Sequence, residues 1–485
     1  MHRYKLGDLV MIATDDYWRR ATFPVEMLPD DIWLEIFTFL SQKDLLRVSS
    51  VCRAWYRLSH DSSLWSSLDL EPFYKSLQGE TILRLINTLF APSGKHLVLN
   101  KNLVTSEMLQ SLFTNCRRLK SLSLNDCRFH SAGPWYELTC DQVETLIFLD
   151  LRNASGFAAG VEDILIQAYN LKYLGLHCCI SPRLLIRMFI TKHNLCIIDC
   201  TQCDWVTDDS IQTIAENSFF LEAMCVAKCR NLQGRTLNIL LEKCPRLKTL
   251  ILEGTQIIDE YIRLVDWSQT NITELNVLRC YRLSFSGLSE ILPNLKRLRY
   301  LKCALTDEVL KLIANGYPLL EVLFLHRRYP VTVQCVSDLL FHCPTLTCLD
   351  LSSIPLAFIF FESFLPSMPR LRMLSFAGNE LLGTEKIIRS LARNCPDLEV
   401  TCVNYFHSTN NFEIERAFVY LLQRCRKFKK LILNGLFVNN LILSIRSLAY
   451  YVCNREDVSI LENKHFFLPG PRNCLDNVKN GNHWY

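Results

Sequence analysis

Cys200 and Cys203 have the Cys-x-x-Cys spacing of a zinc-binding pair, and His177, Cys178 and Cys179 lie shortly before them. A zinc centre of this kind needs a second ligand pair at a similar spacing. No second Cys-x-x-Cys follows at the spacing of a zinc finger. Cysteine is also a small apolar residue that packs well in a core. We therefore favour a structural role for these thiols and predict no metal site and no other cofactor.

A group of basic residues is the second chemical signal. Arg297 and Arg299 fall on one predicted strand, and Arg279 and Lys302 fall at the strand exits on either side of it. His326 and Arg327 fall in the next repeat. Guanidinium groups bind phosphate and carboxylate through paired hydrogen bonds. Our hypothesis is that an acidic or phosphorylated segment of a protein substrate docks here. The alternative is that these residues are ordinary solvated charges.

Phe148 and Tyr173 form another candidate binding site, because exposed aromatic side chains are good interface anchors. They fall beside an irregular segment at residues 129–136. The alternative is that Trp135 of this segment packs against the convex side of the repeats, away from any ligand.

The charge balance and the missing motifs exclude several function classes. The 485 residues include 53 basic and 49 acidic ones, a balance that argues against nucleic-acid binding. We find no Gly-rich phosphate loop, nucleophile elbow or His-Glu-x-x-His, so we predict that the protein is not an enzyme. The longest apolar run, residues 354–361, is too short to span a membrane. With no recognisable secretory signal, we expect a cytoplasmic or nuclear protein with reduced thiols.

A leucine-rich pattern that recurs about every 25 residues organises most of the chain. Each copy reads apolar-x-x-apolar-x-apolar-x-x-small, and the first apolar residues of successive copies are Leu119, Leu146, Leu171, Leu195, Leu221, Leu247, Ile272, Leu295, Leu320, Leu346, Leu371, Leu398 and Phe428. Such a unit supplies one strand and one helix, and it buries its apolar faces only when neighbouring units stack on it. The pattern predicts an α/β leucine-rich-repeat solenoid with a curved parallel sheet inside and helices outside.

The repeat also predicts which residues face a ligand. Side chains alternate along a strand, so the residues two, four and six positions after each first apolar residue are expected to line the concave face. This rule places Phe148 and Tyr173 there, and also Arg297, Arg299 and Leu301. Because solenoids use their concave face for binding, the substrate is expected on this surface.

Residues 23–66 precede the repeats and form a module of short predicted helices. The first helix begins after a Leu-Pro pair and carries Ile32 and Ile36 on one face. A Ser-x-x-acidic capping box at Ser41 opens a second helix, which is predicted to continue to Trp55. About 45 residues cannot bury all of these large side chains internally. Some of them must be covered by another protein or by the repeats.

The same module resembles a known domain. The segments that carry the resemblance are Leu28-Pro29, Phe37-x-Phe39-Leu40, Asp44-Leu45, Val51-Cys52-Arg53-x-Trp55 and Leu64-Trp65, which look like a complete F-box. An F-box followed by cysteine-containing leucine-rich repeats is similar to the F-box/leucine-rich-repeat proteins. The resemblance implies that the module docks on the Skp adaptor of an SCF-type cullin-RING ubiquitin ligase. It also implies that the repeats hold a protein substrate for ubiquitination and degradation.

Carried over residue by residue, the resemblance assigns the adaptor contact to Leu28, Pro29, Ile32, Ile36, Phe37, Leu45, Val51 and Trp55. Trp33 departs from the family, whose members often have a smaller aliphatic residue there. The implied partners are the Skp-type adaptor, a cullin and a RING subunit bound through it, and the substrate, with no nucleic acid, no membrane and no catalytic residue. The alternative is a leucine-rich scaffold or inhibitor without a ligase role.

The predicted domain order has five parts. They are an N-terminal extension at 1–22, the F-box at 23–66, a linker or first atypical repeat at 67–93, the cysteine-containing repeats at 94–452 and a polar tail at 453–485. The last segment is assigned as a tail because the repeat pattern fails near Asn454.

Overall fold

The structure is a computed structural model. It describes residues 28–130, 136, 139–156, 160–176, 182–189, 193–304, 306–317, 319–326, 331–351, 358–376, 384–404, 411–434 and 459–462. The chain divides into two compact units, residues 1–221 and 222–485. In each unit, short parallel strands form one layer and helices form the other. This layering confirms the predicted α/β leucine-rich-repeat fold class.

The N-terminal module is all-helical in its described part, with α1 (Asp30–Thr38), α2 (Gln42–Val48), α3 (Arg53–Ser59) and a 3-10 turn at Ser62–Trp65. The Ser41 side chain accepts a hydrogen bond from the Asp44 amide at 3.2 Å, so it caps α2 as the sequence predicts. The predicted continuation of α2 to Trp55 is wrong. Cys52 has an extended backbone, and its Sγ accepts a hydrogen bond from the Trp55 amide at 3.4 Å. Cys52 therefore separates the two helices and caps α3.

In the first unit, the main sheet is parallel and has the order β1 (Ser67–Asp69), β2 (His96–Val98), β4 (Ser121–Ser123), β6 (Phe148–Asp150), β8 (Tyr173–Gly175), β9 (Ile197–Asp199). A smaller parallel sheet joins β3 (Leu103–Thr105), β5 (Arg128–His130) and β7 (Ser155–Gly156).

The helical segments of the first unit are a 3-10 turn at Glu71–Phe73, α4 (Gly79–Leu85) with a π turn at Ile86–Phe90, α5 (Ser106–Asn115), α6 (Cys140–Val143), α7 (Gly160–Gln167), α8 (Pro182–Phe189) and α9 (Asp208–Asn217). Because β1 pairs with β2, the segment at residues 67–93 supplies a strand to the sheet.

The second unit repeats this arrangement. Its parallel strands follow chain order: β10 (Ala223–Cys225), β11 (Thr249–Ile251), β12 (Glu274–Asn276), β13 (Tyr300–Ala304), β14 (Val322–His326), β15 (Cys348–Asp350), β16 (Met373–Ser375), β17 (Val400–Asn404), β18 (Lys430–Asn434), β19 (Ser459–Glu462). Its helices are α10 (Leu237–Lys243), α11 (Asp259–Ile262), α12 (Phe285–Ile291), α13 (Asp307–Gly316), α14 (Val333–His342), α15 (Phe358–Phe364), α16 (Thr384–Asn394) and α17 (Asn411–Arg424), with 3-10 turns at Trp267–Gln269, Leu292–Asn294 and Leu365–Ser367.

The last strand lies inside the segment predicted to be a polar tail. β19 pairs in parallel with β18, with Ile460 opposite Leu431 and Leu461 opposite Ile432. The sheet therefore extends beyond residue 452, and the predicted end of the repeats is too early.

The core of each repeat lies between the sheet and the helices. The middle residues of the three-residue strands, such as Leu149, Leu174 and Leu250, are inaccessible to solvent. Because side chains alternate along a strand, the first and third residues point to the sheet face that carries no helices, which we call the helix-free face. Within the described part of the chain, no helix is both long enough and apolar enough to cross a membrane.

The repeat that contains β13 has a different register from the predicted one. Leu301 pairs opposite Leu275 in the neighbouring strand and is fully buried. The first apolar residue of this repeat is therefore Leu298, three residues after the predicted Leu295. Leu301 belongs to the core, so its predicted position on the concave face is wrong.

Candidate functional site

The N-terminal module exposes a set of apolar side chains. Leu28, Ile32 and Ile36 are 42%, 42% and 40% exposed. Ile32 and Ile36 lie on one side of α1 because of their four-residue spacing, and Leu28 lies just before the helix, next to its N-cap Pro29. Val51, in the turn before α3, is also exposed. Phe39 is 84% exposed at the end of α1, and it is not among the contact residues that the resemblance assigned. We call Leu28, Ile32, Ile36, Phe39 and Val51 the N-terminal apolar face.

Two of the predicted contact residues belong to the core of the module instead. Phe37 and Leu45 are buried, so they cannot touch a partner while the module is folded, and this part of the prediction is corrected. The Phe37 ring meets Trp55 edge-on at a centroid distance of 5.6 Å, and Trp33 lies 5.0 Å from Trp55. These aromatic contacts join α1 to α3. Trp33 and Trp55 are half-buried, and Pro29 is exposed at the start of α1.

Phe148 and Tyr173 stack on the helix-free face of the first unit. Their ring centroids are 4.3 Å apart and their planes differ by 9°. Tyr173 is only 1% exposed, and the Phe148 ring covers one face of its ring. Tyr173 is therefore not an exposed anchor, whereas Phe148 is half-buried. Trp135, the alternative explanation for the neighbouring segment, lies outside the described residues.

Beside this stack, Arg152 is held between two buried carboxylates. Its Nη2 donates to Asp150 Oδ2 at 2.7 Å, and its Nη1 donates to Asp199 Oδ2 at 2.8 Å. Asp199 also accepts a hydrogen bond from Thr201 Oγ1 at 2.6 Å. Burial alone would lower the pKa of Arg152, but the hydrogen bonds and charges of the two carboxylates outweigh this effect and raise it. The network links β6 to β9. The N–H groups of Arg152 donate to carboxylates of the same chain.

Gly175 provides the space that this network needs. A Cβ at this position would lie 2.5 Å from Asp150 Oδ1 and 3.0 Å from Arg152 Cγ. Gly175→Ala should therefore displace the Asp150 carboxylate and lower the free energy of unfolding by about 1–3 kcal/mol, measured by urea denaturation. Gly316→Ala is the matched control, because a Cβ there has no atom within 4 Å. Equal unfolding free energies for the two variants would contradict the prediction.

In the second unit, two cations converge on Glu253, which follows β11: Lys302 in the middle of β13, and Arg279 after the end of β12. Lys302 Nζ lies 3.2 Å from Glu253 Oε2, and Arg279 Nη1 lies 3.9 Å from Glu253 Oε1. Asn276 Nδ2 donates to Glu253 Oε2 at 2.9 Å. Burial of Glu253 would raise its pKa, but the Lys302 charge and these hydrogen bonds outweigh burial and lower it. We call Arg279, Lys302 and Glu253 the basic rim, which carries one net positive charge.

Arg279 is the member of the rim that is open to a ligand. Its side chain is 50% exposed, and it lies too far from Glu253 for a hydrogen bond. Among the described residues, its guanidinium donors have no hydrogen-bond acceptor. The Arg279 backbone has φ 59°, in the left-handed region that favours glycine. Gly254, which follows the preceding strand β11, also has a positive φ, of 72°.

Arg297 and Arg299 lie at the opposite end of β13 from the basic rim. Arg297 Nη1 donates to Asn271 Oδ1 at 2.8 Å, and Arg299 Nη1 lies 3.0 Å from Glu321 Oε1. Both residues precede β13 because that strand begins at residue 300. The predicted single basic cluster is therefore wrong, since its members are divided between the two ends of a strand. The side chain of His326, at the end of β14, and the whole of Arg327 lie outside the described part of the chain.

The thiols behave as core residues. Cys200 and Cys203 are buried. Burial raises the pKa of other thiols to about 12, in Cys116, Cys127, Cys244, Cys303 and Cys395. Burial in the core therefore favours the protonated form of these thiols. Within the described residues, no group of three His, Cys, Asp or Glu side chains is placed to hold a metal ion; residues 177–179 fall outside them.

Comparisons with known proteins identify the N-terminal module. Residues 25–71 match the family model described as F-box-like. The chain is 30% identical over 106 residues to human F-box/LRR-repeat protein 12, a match that covers 20% of this chain and 32% of that protein. It is 28% identical over 137 residues to lysine-specific demethylase 2A of Xenopus tropicalis, covering 28% of this chain and 11% of the demethylase. Among solved structures, it is similar to a chain of the yeast Rad7 and Elc1 complex, with a TM-score of 0.47, 15% identity and coverage of 77% of this chain and 88% of that one.

The fold and these matches define a protein with an F-box-like module followed by leucine-rich repeats. The predicted resemblance to the F-box/leucine-rich-repeat proteins is thereby confirmed. The two sequence matches span only 32% and 11% of the relatives' own lengths. The N-terminal apolar face lies within the residues that match the F-box-like model.

Proposed function

We propose that this protein is the substrate-recognition subunit of an SCF-type cullin-RING ubiquitin ligase. The N-terminal apolar face carries the proposal, because a row of exposed large apolar residues in a small helical module is typical of a protein interface. The face lies inside the F-box-like match. In this proposal a Skp-type adaptor covers the face, and a cullin and a RING subunit join through the adaptor. In this proposal the chain is a non-catalytic subunit of the ligase.

The geometry of the face suits a helix that inserts into an apolar groove. Leu28, Ile32 and Ile36 follow one another at four-residue intervals, which is the pattern of anchor residues in such complexes. The buried Phe37 ring and its contact with Trp55 hold α1 against α3. A face that is already ordered loses little conformational entropy when a partner binds, so more of the contact energy appears as affinity.

The same proposal places a protein substrate at the basic rim. Glu253 neutralises one of the two cations, so one positive charge remains for a ligand. Arg279 presents guanidinium donors in the fork geometry that binds a carboxylate or phosphate with two hydrogen bonds. The substrate group is therefore an oxyanion, supplied either by an acidic side chain or by a phosphorylated one.

Arg279→Gly should weaken substrate binding without loss of stability, because glycine adopts the observed positive φ more readily than arginine. Loss of a charged hydrogen bond should weaken substrate binding by roughly 10- to 100-fold. The measurement compares the affinity of the purified chain for arrayed peptides that contain glutamate or phosphoserine. Arg299→Gln, at the other end of β13, is the matched control and should bind as the wild type does. Equal binding by Arg279→Gly and wild type would place the substrate elsewhere.

The proposed function is tested by affinity purification of the full-length chain beside a variant with Leu28→Ala and Pro29→Ala. Mass spectrometry scores the Skp-type adaptor and the cullin in both samples. We expect the wild type to retain both proteins and the variant to lose both. If the wild type retains neither, the ligase proposal fails, and the chain is better described as a leucine-rich scaffold or inhibitor.

A further inference from the structure

The side-chain amide of Gln42, the first residue of α2, binds the first strand of the repeats. Gln42 Nε2 donates to the Ser67 carbonyl oxygen at 2.8 Å, and the Asp69 amide donates to Gln42 Oε1 at 3.0 Å. Both backbone groups belong to β1, which is the end strand in the sheet of the first unit. The two residues flank Leu68, whose side chain is buried in the core.

These two hydrogen bonds reproduce the pattern of a parallel strand. In a parallel sheet, one residue donates its N–H to a carbonyl on the neighbouring strand and accepts from an N–H two residues further along that strand. The Gln42 amide makes this same pair of bonds with Ser67 and Asp69. It therefore occupies the place of a neighbouring strand at the edge of the sheet, where unpaired backbone groups would otherwise invite pairing with another chain.

The N-terminal module has a second attachment to the repeats, at the chain junction. Within the module, Trp65 is buried and its Nε1 donates to the Ser59 carbonyl oxygen at 2.7 Å, which ties the residues next to the junction to α3. The Ser93 hydroxyl donates to the Ser62 carbonyl oxygen. A contact at the junction alone leaves the helices able to rotate about it. Gln42 lies more than twenty residues earlier in the chain, so its contact with β1 supplies the second point that removes this rotation.

We infer that Gln42 is a positioning residue that fixes the N-terminal apolar face relative to the first repeats. If the proposed function is correct, this clamp sets the geometry in which an adaptor bound to Ile32 and Ile36 is held relative to the repeats. Its role is orientation, because Gln42 does not belong to the apolar face itself. Adaptor affinity should therefore be independent of Gln42, whereas the orientation of the module should depend on it.

The test compares Gln42→Met with the wild-type chain. Methionine has a similar length but offers neither the donor nor the acceptor. The Asp69 amide should exchange with deuterium roughly tenfold faster in the variant. Spin labels on non-natural residues at positions 53 in α3 and 107 in α5 should give one narrow distance distribution in the wild type and a broad one in the variant. Adaptor affinity should stay within twofold of the wild-type value.

Two further variants make the result decisive. Lys43→Met changes the next, exposed residue of α2 and should leave both the exchange rate and the distance distribution unchanged. Gln42→Glu keeps an acceptor for the Asp69 amide and loses the donor to Ser67, so it should give an intermediate width and serves if Gln42→Met does not fold. Coincident distance distributions for wild type and Gln42→Met would overturn the inference. Failure of the wild-type chain to bind the adaptor would contradict the proposed function and leave the clamp measurement unaffected.

Discussion

The Ile36→Asp variant should fold as the wild type does and lose the Skp-type adaptor. Ile36 is 40% exposed, so a carboxylate at this position remains solvated in the free chain. In the proposed complex the same carboxylate would be buried against apolar surface without a partner, which costs several kcal/mol. Truncations at the centre of an interface already cost 2 kcal/mol or more at hot spots. We therefore expect the Kd for the adaptor to rise at least roughly 100-fold.

Isothermal titration with purified adaptor measures this change, and thermal unfolding of the same samples checks the fold. Phe341→Asp is the matched control, since Phe341 lies on α14 of the second unit and is 74% exposed. It introduces the same charge at an exposed apolar position outside the module. Wild-type affinity in Ile36→Asp would show that the adaptor does not dock on the N-terminal apolar face. Equal loss in Phe341→Asp would show that the added charge acts non-specifically.

Local rules in the N-terminal module could be predicted from residue types alone. Ser41 caps α2 through its hydroxyl, as expected for a Ser-x-x-acidic box, and the four-residue spacing of Ile32 and Ile36 gives a shared face. The burial of Phe37 could not be predicted in the same way. Successive helical residues differ by about 100°, and α1 is apolar on more than one side. Periodicity therefore cannot distinguish the side that packs on α3 from the side that remains exposed.

The register of β13 shows a different limit of pattern reasoning. Leu295, Leu298 and Leu301 are spaced three residues apart, so two registers fit the leucine pattern equally well. The neighbouring strands select one of them, because Leu301 pairs with Leu275 on one side and Leu323 on the other. An odd shift in register exchanges the two faces of a strand. That shift removed Leu301 from the helix-free face, and it placed Arg297 and Arg299 before the strand, away from the basic rim.

The helix-free face of the first unit depends on contacts between repeats that no single repeat shows. By the alternation rule, Tyr173 points away from the helices. Its burial comes from the Phe148 ring on the adjacent strand, and the space for the Arg152 network comes from the missing side chain of Gly175. The sequence shows that residue 152 is an arginine. Only the folded chain shows that its side chain lies between two buried carboxylates.

Arg152→Met should therefore be among the most destabilising single substitutions in the repeats. The change leaves Asp150 and Asp199, which are 3% and 2% exposed, without their common cation. Removing one partner of a buried charge network typically costs about 3–5 kcal/mol, because the remaining charge stays buried and uncompensated. We expect a loss of that size in the free energy of unfolding, measured by urea denaturation at neutral pH.

Two comparisons separate this mechanism from the loss of an ordinary surface ion pair. Arg57→Met breaks the exposed pair between Arg57 and Asp30, whose side chains are 67% and 52% exposed, and it should cost less than about 1 kcal/mol. The triple variant Arg152→Met, Asp150→Asn, Asp199→Asn removes all three charges and should recover most of the lost stability, because amides are far cheaper to bury than carboxylates. If Arg152→Met costs no more than Arg57→Met, the two carboxylates are effectively solvated, and Arg152 does not hold β6 and β9 together as the hydrogen bonds indicate.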